Sequence, residues 1–368
     1  MRHAAHISYN SARTRGSAVR TLGSAARTAG SIAFALLVRL ALALVVFATL
    51  MALASCDHKE LCYDHSHTVR ARIDVDWSLF TEEQPSGMSV MLYPETGEGP
   101  YNLVSNTLEY VDVNVPVGRY RAVVFNQSPG EFGTLTFSDM DSEAAATVRA
   151  AARSSRWYQT RADVERLVQN PEWFAVGEAR DINVPEEVAL QQQSRAATRS
   201  TIATVVPRCV VYTIHVRVHV KNIYNVRSAR ASLDGLADGY SFAGMRPTAT
   251  VATQLLENWT LTHDADNPAN GTLETRITSF GLPAGHRPVA DANHLRLSLL
   301  LVDGTTQRDF DFAVGDSFVR GPEVELSLSL SEAIDEPLPD VKPSGGSAGG
   351  FDATVDDWEE GEHVDIGV

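Results

Sequence analysis

The sequence lacks the common motifs of nucleotide binding, since it contains no P-loop and no G-x-G-x-x-G. Carboxylate pairs occur, as in Glu82-Glu83 and Asp139-x-Asp141, but loops of an acidic chain produce such pairs freely. No catalytic constellation is convincing. The sequence therefore predicts a protein that is not an enzyme and that holds no cofactor.

Cysteine is scarce, with Cys56, Cys62 and Cys209 only. If Cys56 is acylated, as argued below, the other two remain, and they can pair in an oxidising compartment. Their wide separation, with different domains expected for each, favours two thiols over a disulfide. The sequence alone leaves this pairing open.

The first 55 residues contain six arginines and no acidic residue, and an apolar run extends from Ile32 to Leu53. A basic region, an apolar region and small residues before a cleavage point are typical of a secretory signal. The stretch Leu53-Ala54-Ser55-Cys56 resembles the lipobox of bacterial lipoproteins, in which the cysteine is diacylated. We expect residues 1–55 to be a signal peptide, with Leu53, Ala54 and Ser55 recognised by the peptidase and Cys56 as the lipidation site.

The alternative is an uncleaved membrane anchor, because the apolar run approaches the roughly 20 residues of a spanning helix. The lipoprotein interpretation is favoured because small residues and Cys56 stand where the apolar run ends. It places the rest of the chain outside the cytoplasm and makes the membrane a partner through the lipid.

Basic residues are also few in the remaining chain. Without residues 1–55, 25 basic residues face 46 acidic ones, a net charge of about −21. Nucleic acid favours clustered Lys and Arg, so it is excluded as a partner.

From Thr68 onward the chain alternates apolar and polar residues, and turn signals recur at intervals of roughly ten residues. This pattern predicts an all-β protein with two antiparallel β-sandwiches in tandem. An Ala-rich stretch near residues 140–170 predicts a small helical insert in the first. We expect a polar tether at 56–67, sandwich domains at 68–204 and 205–342, and a Gly/Ser linker with a terminal strand at 343–368.

The tether contains His58, Cys62, His65 and His67, whose imidazole and thiolate groups suit zinc. Their spacing fits no standard zinc site, so a polar tether without metal is favoured. His215 and His219 share one face of a predicted strand, where a solvated face is favoured over a ligand pair.

A set of short motifs occurs in a specific order across residues 56–366. These motifs are Cys56-x-His58-x-Glu60-Leu61-Cys62-Tyr63-Asp64-His65-x-His67, Asp76-Trp77, Gly87-Met88, Pro116-x-Gly118-x-Tyr120, Phe125-Asn126, Ser279-Phe280-Gly281, Asn293-x-Leu295-x-Leu297, Asp303-Gly304 and Phe310-x-Phe312-x-Val314. In this order they resemble the fimbrillin-associated (minor fimbrium) anchor-like lipoproteins of Gram-negative surface fimbriae, including their uncharacterised relatives.

The resemblance implies transthyretin-like β-sandwiches, a lipid anchor in the outer membrane and exposure at the cell surface. It also implies a role as fimbrial anchor or as an assembly or adhesion component, with fimbrial subunits as partners through strand pairing. We expect the tail from Val355 to Ile366 to pack on, or complete, the second sandwich.

Two other functions are retained. One is capture of a glycan or a host protein, with Trp157-Tyr158 and Trp173-Phe174 as candidate aromatic contacts, although core positions are favoured for these pairs. The other is a metal-dependent enzyme, which needs the tether histidines to converge with a carboxylate.

Overall fold

The computed structural model describes residues 39–45, 68–81, 84–161, 164–185, 200–322, 324–331, 334 and 336–344. They fall into two compact units, Met1–His65 and Ser66–Val368. In the first unit, residues 39–45 form a helix with exposed side chains. Among the described residues, no helix combines the length and the apolar character that crossing a membrane requires.

Two sheets form a first sandwich at the start of the second unit. The three-stranded sheet has the order β4-β1-β9, with β1 (Thr68–Val75), β4 (Tyr110–Pro116) and β9 (Ser200–Val205). The five-stranded sheet has the order β10-β8-β5-β2-β3, with β2 (Met88–Pro94), β3 (Tyr101–Ser105), β5 (Gly118–Asn126), β8 (Ala175–Val184) and β10 (Arg208–Cys209). The alternation in β1 buries Val69, Ala71, Ile73 and Val75 between these sheets, as predicted.

Two further sheets form a second sandwich. One has the order β16-β17-β11-β21-β20, with β11 (Tyr212–Val220), β16 (Thr260–His263), β17 (Gly271–Ser279), β20 (Phe318–Arg320) and β21 (Glu325–Leu330). The other has the order β15-β12-β18-β19, with β12 (Val226–Ala237), β15 (Val251–Leu256), β18 (His294–Leu301) and β19 (Gln307–Ala313). Their shared core contains alternate residues of β11 and β18. The all-β class with sandwich architecture is therefore confirmed.

The turn at Asp303-Gly304 joins β18 to β19. Gly304 has a φ of 71°, a backbone conformation that glycine adopts without steric cost. Asp303 accepts hydrogen bonds from the backbone N–H groups of Thr305 (3.1 Å) and Thr306 (2.9 Å), which fix the turn.

A fifth sheet connects the two sandwiches. It has the order β14-β13-β7-β6, with β6 (Leu135–Ser138), β7 (Thr147–Ala150), β13 (Gly239–Ser241) and β14 (Arg246–Pro247). Strand β7 follows β6 and precedes β8 of the first sandwich, whereas β13 follows β12 of the second sandwich. The two strands pair antiparallel. Their approach requires a glycine, because a Cβ on residue 239 would lie 2.2 Å from the carbonyl oxygen of Val148. We call this sheet the bridging sheet.

The helical insert predicted near residues 140–170 is wrong. Residues 140–161 and 164–170, the described part of this stretch, contain β7 and two isolated bridges and no helix. The alanines favour a helix only weakly, and tertiary packing overrides such a preference. Val148 and Ala150 alternate toward a buried core while β7 pairs with a strand on each side. That pairing decides the structure.

The bridging sheet covers the second face of the five-stranded sheet. The resulting bridging core includes Phe125 of β5, whose ring lies 5.8 Å from that of Phe174 and 5.9 Å from that of Phe242. Strand β2 consequently has six consecutive buried residues, Met88 to Tyr93. A sheet buried on both faces has apolar runs in place of alternation.

Two strand pairs depart from the antiparallel prediction. Strand β9 pairs parallel with β1, and β21 pairs parallel with β11. Residues 200–204, at the end of the range expected for the first sandwich, lie in β9 and belong to one of its sheets. Parallel neighbours need long connections, and here the intervening chain contains many other strands.

The chain after β21 returns along one end of the second sandwich. Ile334 and Leu338 are buried in its core. The backbone N–H of Leu338 donates to Lys221 O (3.1 Å), and that of Ser344 donates to Val302 O (3.3 Å). The described chain thus ends beside the β18–β19 turn. The predicted terminal strand from Val355 to Ile366 lies outside the described residues.

Candidate functional site

The sites predicted near the N-terminus lie outside the described residues. They are the peptidase recognition residues Leu53, Ala54 and Ser55, the lipidation site Cys56, and the weighed metal ligands His58, Cys62, His65 and His67. Within the described ranges, no group of three or more His, Cys, Asp or Glu side chains is arranged to hold a metal ion. The thiol of Cys209 donates to the carbonyl of Val211 (3.4 Å). Cys62 lies outside the described residues, so the expected pair of thiols without a disulfide stays a prediction.

The two histidines of β11 lie on its half-exposed side. His219 Nε2 lies 2.8 Å from Asp264 Oδ2, whereas His215 is level with Arg276 of the neighbouring β17. A carboxylate contact on one histidine and a cation beside the other fit a solvated face.

The two aromatic pairs differ in position. Phe174 is fully buried, and Trp173 packs edge-to-face on Phe80 with ring centroids 5.2 Å apart. That pair is part of the core. Trp157, in contrast, is half-buried and lines a cleft of about 420 Å³, a volume within the range of small-ligand sites.

This cleft lies on the outer face of the four-stranded sheet β15-β12-β18-β19. Its floor consists of polar side chains in two cross-strand rows, because residues that are level on neighbouring strands point to the same face. The first row is Arg230, Ser298 and Asp309, and the second is Ser232, Arg296 and Asp311. We call this site the Trp157 cleft.

Hydrogen bonds fix most of the floor. Arg296 donates to Asp234 and, from Nε, to Asp311 (3.1 Å). The ring of His294 contacts the other oxygen of Asp311 (2.8 Å). Burial raises the pKa of Asp311, but the hydrogen bond from His294 and the charge of Arg296 outweigh it, so this pKa lies below its ordinary value. Asp311 is therefore ionised at neutral pH.

One wall of the cleft is the loop that contains Trp157 and Tyr158. Tyr158 is buried with Leu167 and Leu255, which attaches the loop to the sheet. The indole Nε1–H of Trp157 donates to Glu257 (2.7 Å). Hydrogen bonds at both aromatic residues hold the wall in place without help from a ligand.

Glu165 connects this loop to the sheet. Its carboxylate accepts hydrogen bonds from the Tyr158 hydroxyl (2.5 Å) and the Thr253 hydroxyl (2.7 Å). Burial raises the pKa of Glu165, but these donors and the backbone N–H of Arg161 lower it further than burial raises it. Burial likewise raises the pKa of Tyr158. The pair is therefore a carboxylate with a neutral phenol at neutral pH.

Arg230 completes the wall. Its guanidinium carbon lies 4.9 Å from the centroid of the Trp157 ring, over one face. A guanidinium stacked on an indole is restrained in orientation while its N–H groups remain available. Within the described part of the chain, no hydrogen bond engages the exposed Arg230 side chain, although its charge acts on the nearby carboxylate of Glu257.

Sequence reasoning singled out Trp157 and Tyr158 but missed the floor. The available signal was the polar half of the alternation in β18 and β19, which places Arg296, Ser298, Asp309 and Asp311 on one face. The alternation could not show that an aromatic loop from residues 155–161 would lie over that face.

A second candidate surface consists of sheet edges. In the described part of the chain, β4 and β9 each pair with β1 alone, and β3 pairs with β2 alone. An edge strand leaves backbone N–H and C=O groups available to another strand. The first sandwich thus offers edges on both of its sheets.

Comparisons with known proteins found a similar curated protein and similar solved structures. A relative from Bacteroides ovatus named "Putative fimbrium anchoring subunit Fim4B" is 23% identical over an alignment of 349 residues, and the match covers 88% of this chain and 97% of that one. The crystal structure of a "putative adhesin" from the same species has a TM-score of 0.51 at 17% identity, covering 77% of this chain and 98% of its own. The predicted resemblance to fimbrial anchor proteins is therefore confirmed.

The fimbrial anchor protein Mfa2 of Porphyromonas gingivalis is also similar, with a TM-score of 0.43, 11% identity, and coverage of 72% and 90%. Residues 55–257 match the family DUF5119, described as a domain of unknown function. The match spans the first sandwich, the bridging sheet and the first strands of the second sandwich. Because it includes more than half of the chain, the protein belongs to the DUF5119 family.

Proposed function

We propose that the protein is a non-catalytic component of surface fimbriae, acting as their anchor or in assembly and adhesion. The observation that supports this most is the match to a relative named as a fimbrium anchoring subunit, because it covers 88% of this chain and 97% of that one. A match of that extent includes both sandwiches and not one shared module. The proposed location is the cell surface.

In this proposal a lipid on Cys56 attaches the chain to the outer membrane. The supporting features are the basic, acid-free leader, the apolar run and the small residues before Cys56. A single acyl group binds membranes only marginally, whereas two chains anchor stably, so diacylation suits an anchor under mechanical load.

The anchor is tested by the intact mass and membrane fractionation of wild type beside Cys56→Ala. We expect a lipid-sized mass increment and outer-membrane location in wild type, with both lost in the variant. Cys62→Ala is the matched control and should behave as wild type. An unlipidated wild-type chain that keeps residues 1–55 would contradict the proposal.

Strand pairing is the proposed means of joining fimbrial subunits. An open sheet edge accepts a strand, with backbone hydrogen bonds giving affinity and alternate side chains giving specificity. We also propose that the tail from Val355 to Ile366 packs on, or completes, the second sandwich. In support of this, the described chain ends at Ser344, whose backbone N–H donates a hydrogen bond to the carbonyl of Val302. Val302 lies in the turn that leads into the edge strand β19, so the tail starts close to a sheet edge.

Deletion of residues 351–368 tests the tail. We expect lower thermal stability and loss of fimbrial subunits that co-purify with the full chain. The control replaces the same residues with Gly/Ser of equal length, which keeps the length but removes the apolar positions. Unchanged stability and assembly in the deletion variant would rule out the proposal that the tail packs on, or completes, the second sandwich.

A second function, capture of a glycan or host protein, is favoured by one observation. Trp157 lines a cleft of about 420 Å³ whose floor is polar and charged. An adhesion component needs such a ligand-binding surface in addition to its anchor. This function is independent of the lipid and of strand pairing.

A further inference from the structure

We propose that the Trp157 cleft binds a saccharide unit that bears a single carboxylate, such as a uronic acid residue. The proposal rests on the second function above, and it adds the charge and size of the ligand. It assigns Arg230 to the ligand carboxylate and Asp309 to ligand hydroxyl groups.

Arg230 is the residue that sets the charge of the ligand. The Trp157 ring restrains its guanidinium, and no carboxylate of the described residues is hydrogen-bonded to it. Its charge acts on the nearby carboxylate of Glu257, but the oxygens of Glu257 are bound to Arg153 and to the Trp157 indole. The other two arginines of the cleft differ, because Arg296 donates to Asp234 and Asp311 and Arg161 lies 3.8 Å from Asp311. An oriented guanidinium whose N–H groups are not hydrogen-bonded offers two parallel donors, the arrangement that a carboxylate accepts best.

The opposite side of the cleft suits hydroxyl groups. Asp309 accepts hydrogen bonds from the Ser298 hydroxyl and from the Gln307 amide (2.8 Å), which fix its carboxylate. An ionised carboxylate has about four acceptor sites, so it can also accept from a ligand hydroxyl. The exposed amides of Gln159 and Gln307 add donors and acceptors at the rim.

The spacing of these groups limits the size of the ligand. Arg230 and Asp309 are in one cross-strand row with Ser298 between them. Neighbouring strands lie about 4.8 Å apart, so the two backbones are separated by about 10 Å. After the side chains extend into the cleft, the remaining space suits a single sugar ring with its carboxylate toward β12.

The charges also exclude ligands with several negative groups. Asp309 and Asp311 lie on the same floor, and the whole chain has a net charge of −15. A phosphate dianion or a polyphosphate would be repelled by both carboxylates. A neutral sugar would gain no charge-assisted hydrogen bond from Arg230. A singly charged sugar satisfies both sides.

The test uses the purified full chain and calorimetric titration with glucuronate, its methyl ester, glucose and inorganic phosphate. We expect glucuronate to bind about tenfold or more tightly than the ester or glucose. The reason is that the ester and glucose lack the carboxylate and so lose the charge-assisted hydrogen bond to Arg230. Arg230→Gln should weaken glucuronate binding by a similar factor and leave glucose unchanged. Asp309→Asn should weaken all three sugars.

Arg308→Gln is the matched control, since Arg308 is an exposed arginine of β19 on the opposite parity from Asp309. It should bind as wild type. Equal binding of glucuronate and glucose would overturn the carboxylate assignment while keeping glycan capture. Phosphate binding that Arg230→Gln abolishes would overturn it in favour of a general anion site. No binding of any probe would overturn glycan capture itself, without affecting the fimbrial anchor.

Discussion

The sheet β10-β8-β5-β2-β3 of the first sandwich and the sheet β15-β12-β18-β19 of the second differ in their outer faces. In the first, the bridging sheet covers the outer face, and Met91, Tyr93, Val123 and Phe125 fill the interface. In the second, the outer face has Arg296, Ser298, Asp309 and Asp311, and only part of it is covered by the Trp157 loop.

This difference separates structural from binding surfaces. A sheet face that meets another sheet becomes apolar because burial of polar groups without partners costs free energy. A face that stays open can keep charged groups at little cost. The covered face therefore joins the two sandwiches, and the open face provides the cleft.

The largest effect is expected from breaking the bridging core with Phe125→Ala. Phe125 is fully buried among Phe137, Phe174 and Phe242, so its loss leaves a cavity and should lower the free energy of unfolding by about 3–5 kcal/mol. Phe310→Ala, on edge strand β19 and only half-buried, should cost about 1–2 kcal/mol. If urea denaturation showed that both variants lose the same free energy of unfolding, the bridging core would contribute no more to stability than the edge strand β19.

Asp238→Ala tests the polar part of the same junction. Asp238 is fully buried and accepts from Arg149 (2.5 Å), Arg166 (2.6 Å) and the hydroxyl of Thr248 (2.5 Å). Its removal leaves the two arginines without their carboxylate, whereas the Thr248 hydroxyl can still donate to the carbonyl of Gly239 (3.2 Å). Because the two arginines are partly exposed, we expect a loss of about 2–3 kcal/mol.

The matched control for Asp238 is Asp309→Ala on the open face, which should change the free energy of unfolding by no more than about 0.5 kcal/mol. Chemical denaturation of both variants measures the contrast. A neutral Asp238→Ala would mean that the two sandwiches are joined by apolar contacts alone.

Tyr158→Phe sharpens the description of the Trp157 loop. It removes the hydroxyl that donates to Glu165 (2.5 Å) and keeps the buried ring, so we expect a loss of about 1 kcal/mol. The pKa of Glu165 should rise, because one of the donors that hold it low is gone. NMR titration of the Glu165 carboxyl checks the direction, and an unchanged pKa would contradict the assigned hydrogen bond.

The smallest effect concerns acid stability at the β18–β19 turn. Hydrogen bonds from Thr306 and Thr305 lower the pKa of Asp303 from 3.8 to about 2. A carboxyl group whose pKa is lowered by folding stabilises the folded state at pH values above its ordinary pKa of 3.8. This contribution is lost as the pH falls from 3.8 toward about 2. Thermal denaturation of wild type and Asp303→Asn should therefore differ slightly at neutral pH and converge near pH 2.

Thr306→Val provides the control for that titration, because it removes the hydroxyl that donates to Asp303 (2.6 Å). It should reproduce part of the Asp303→Asn effect. A difference between wild type and Asp303→Asn that persists at pH 2 would show that the ionised carboxylate is not its source.

The amino-acid sequence by itself determined the strands whose two faces meet different environments. In β1 and β18 the alternation of apolar and polar residues is local, so each strand and its buried face follow from the chain pattern. The Asp303-Gly304 turn is local in the same sense, because its residues select the backbone conformation. The order of short motifs along the chain, Asp303-Gly304 among them, carried the resemblance to fimbrial anchor proteins.

Tertiary structure alone decided the bridging sheet, the parallel position of β9 and the Trp157 cleft. Strand β7 exists because Val148 is level with Tyr240, 92 positions later, and no local pattern near residue 148 records that partner. Likewise, Arg230, Ser298 and Asp309 become one row only when β12, β18 and β19 pair. Contacts between distant residues depend on which faces the rest of the chain leaves open, and that outcome is a property of the packed molecule.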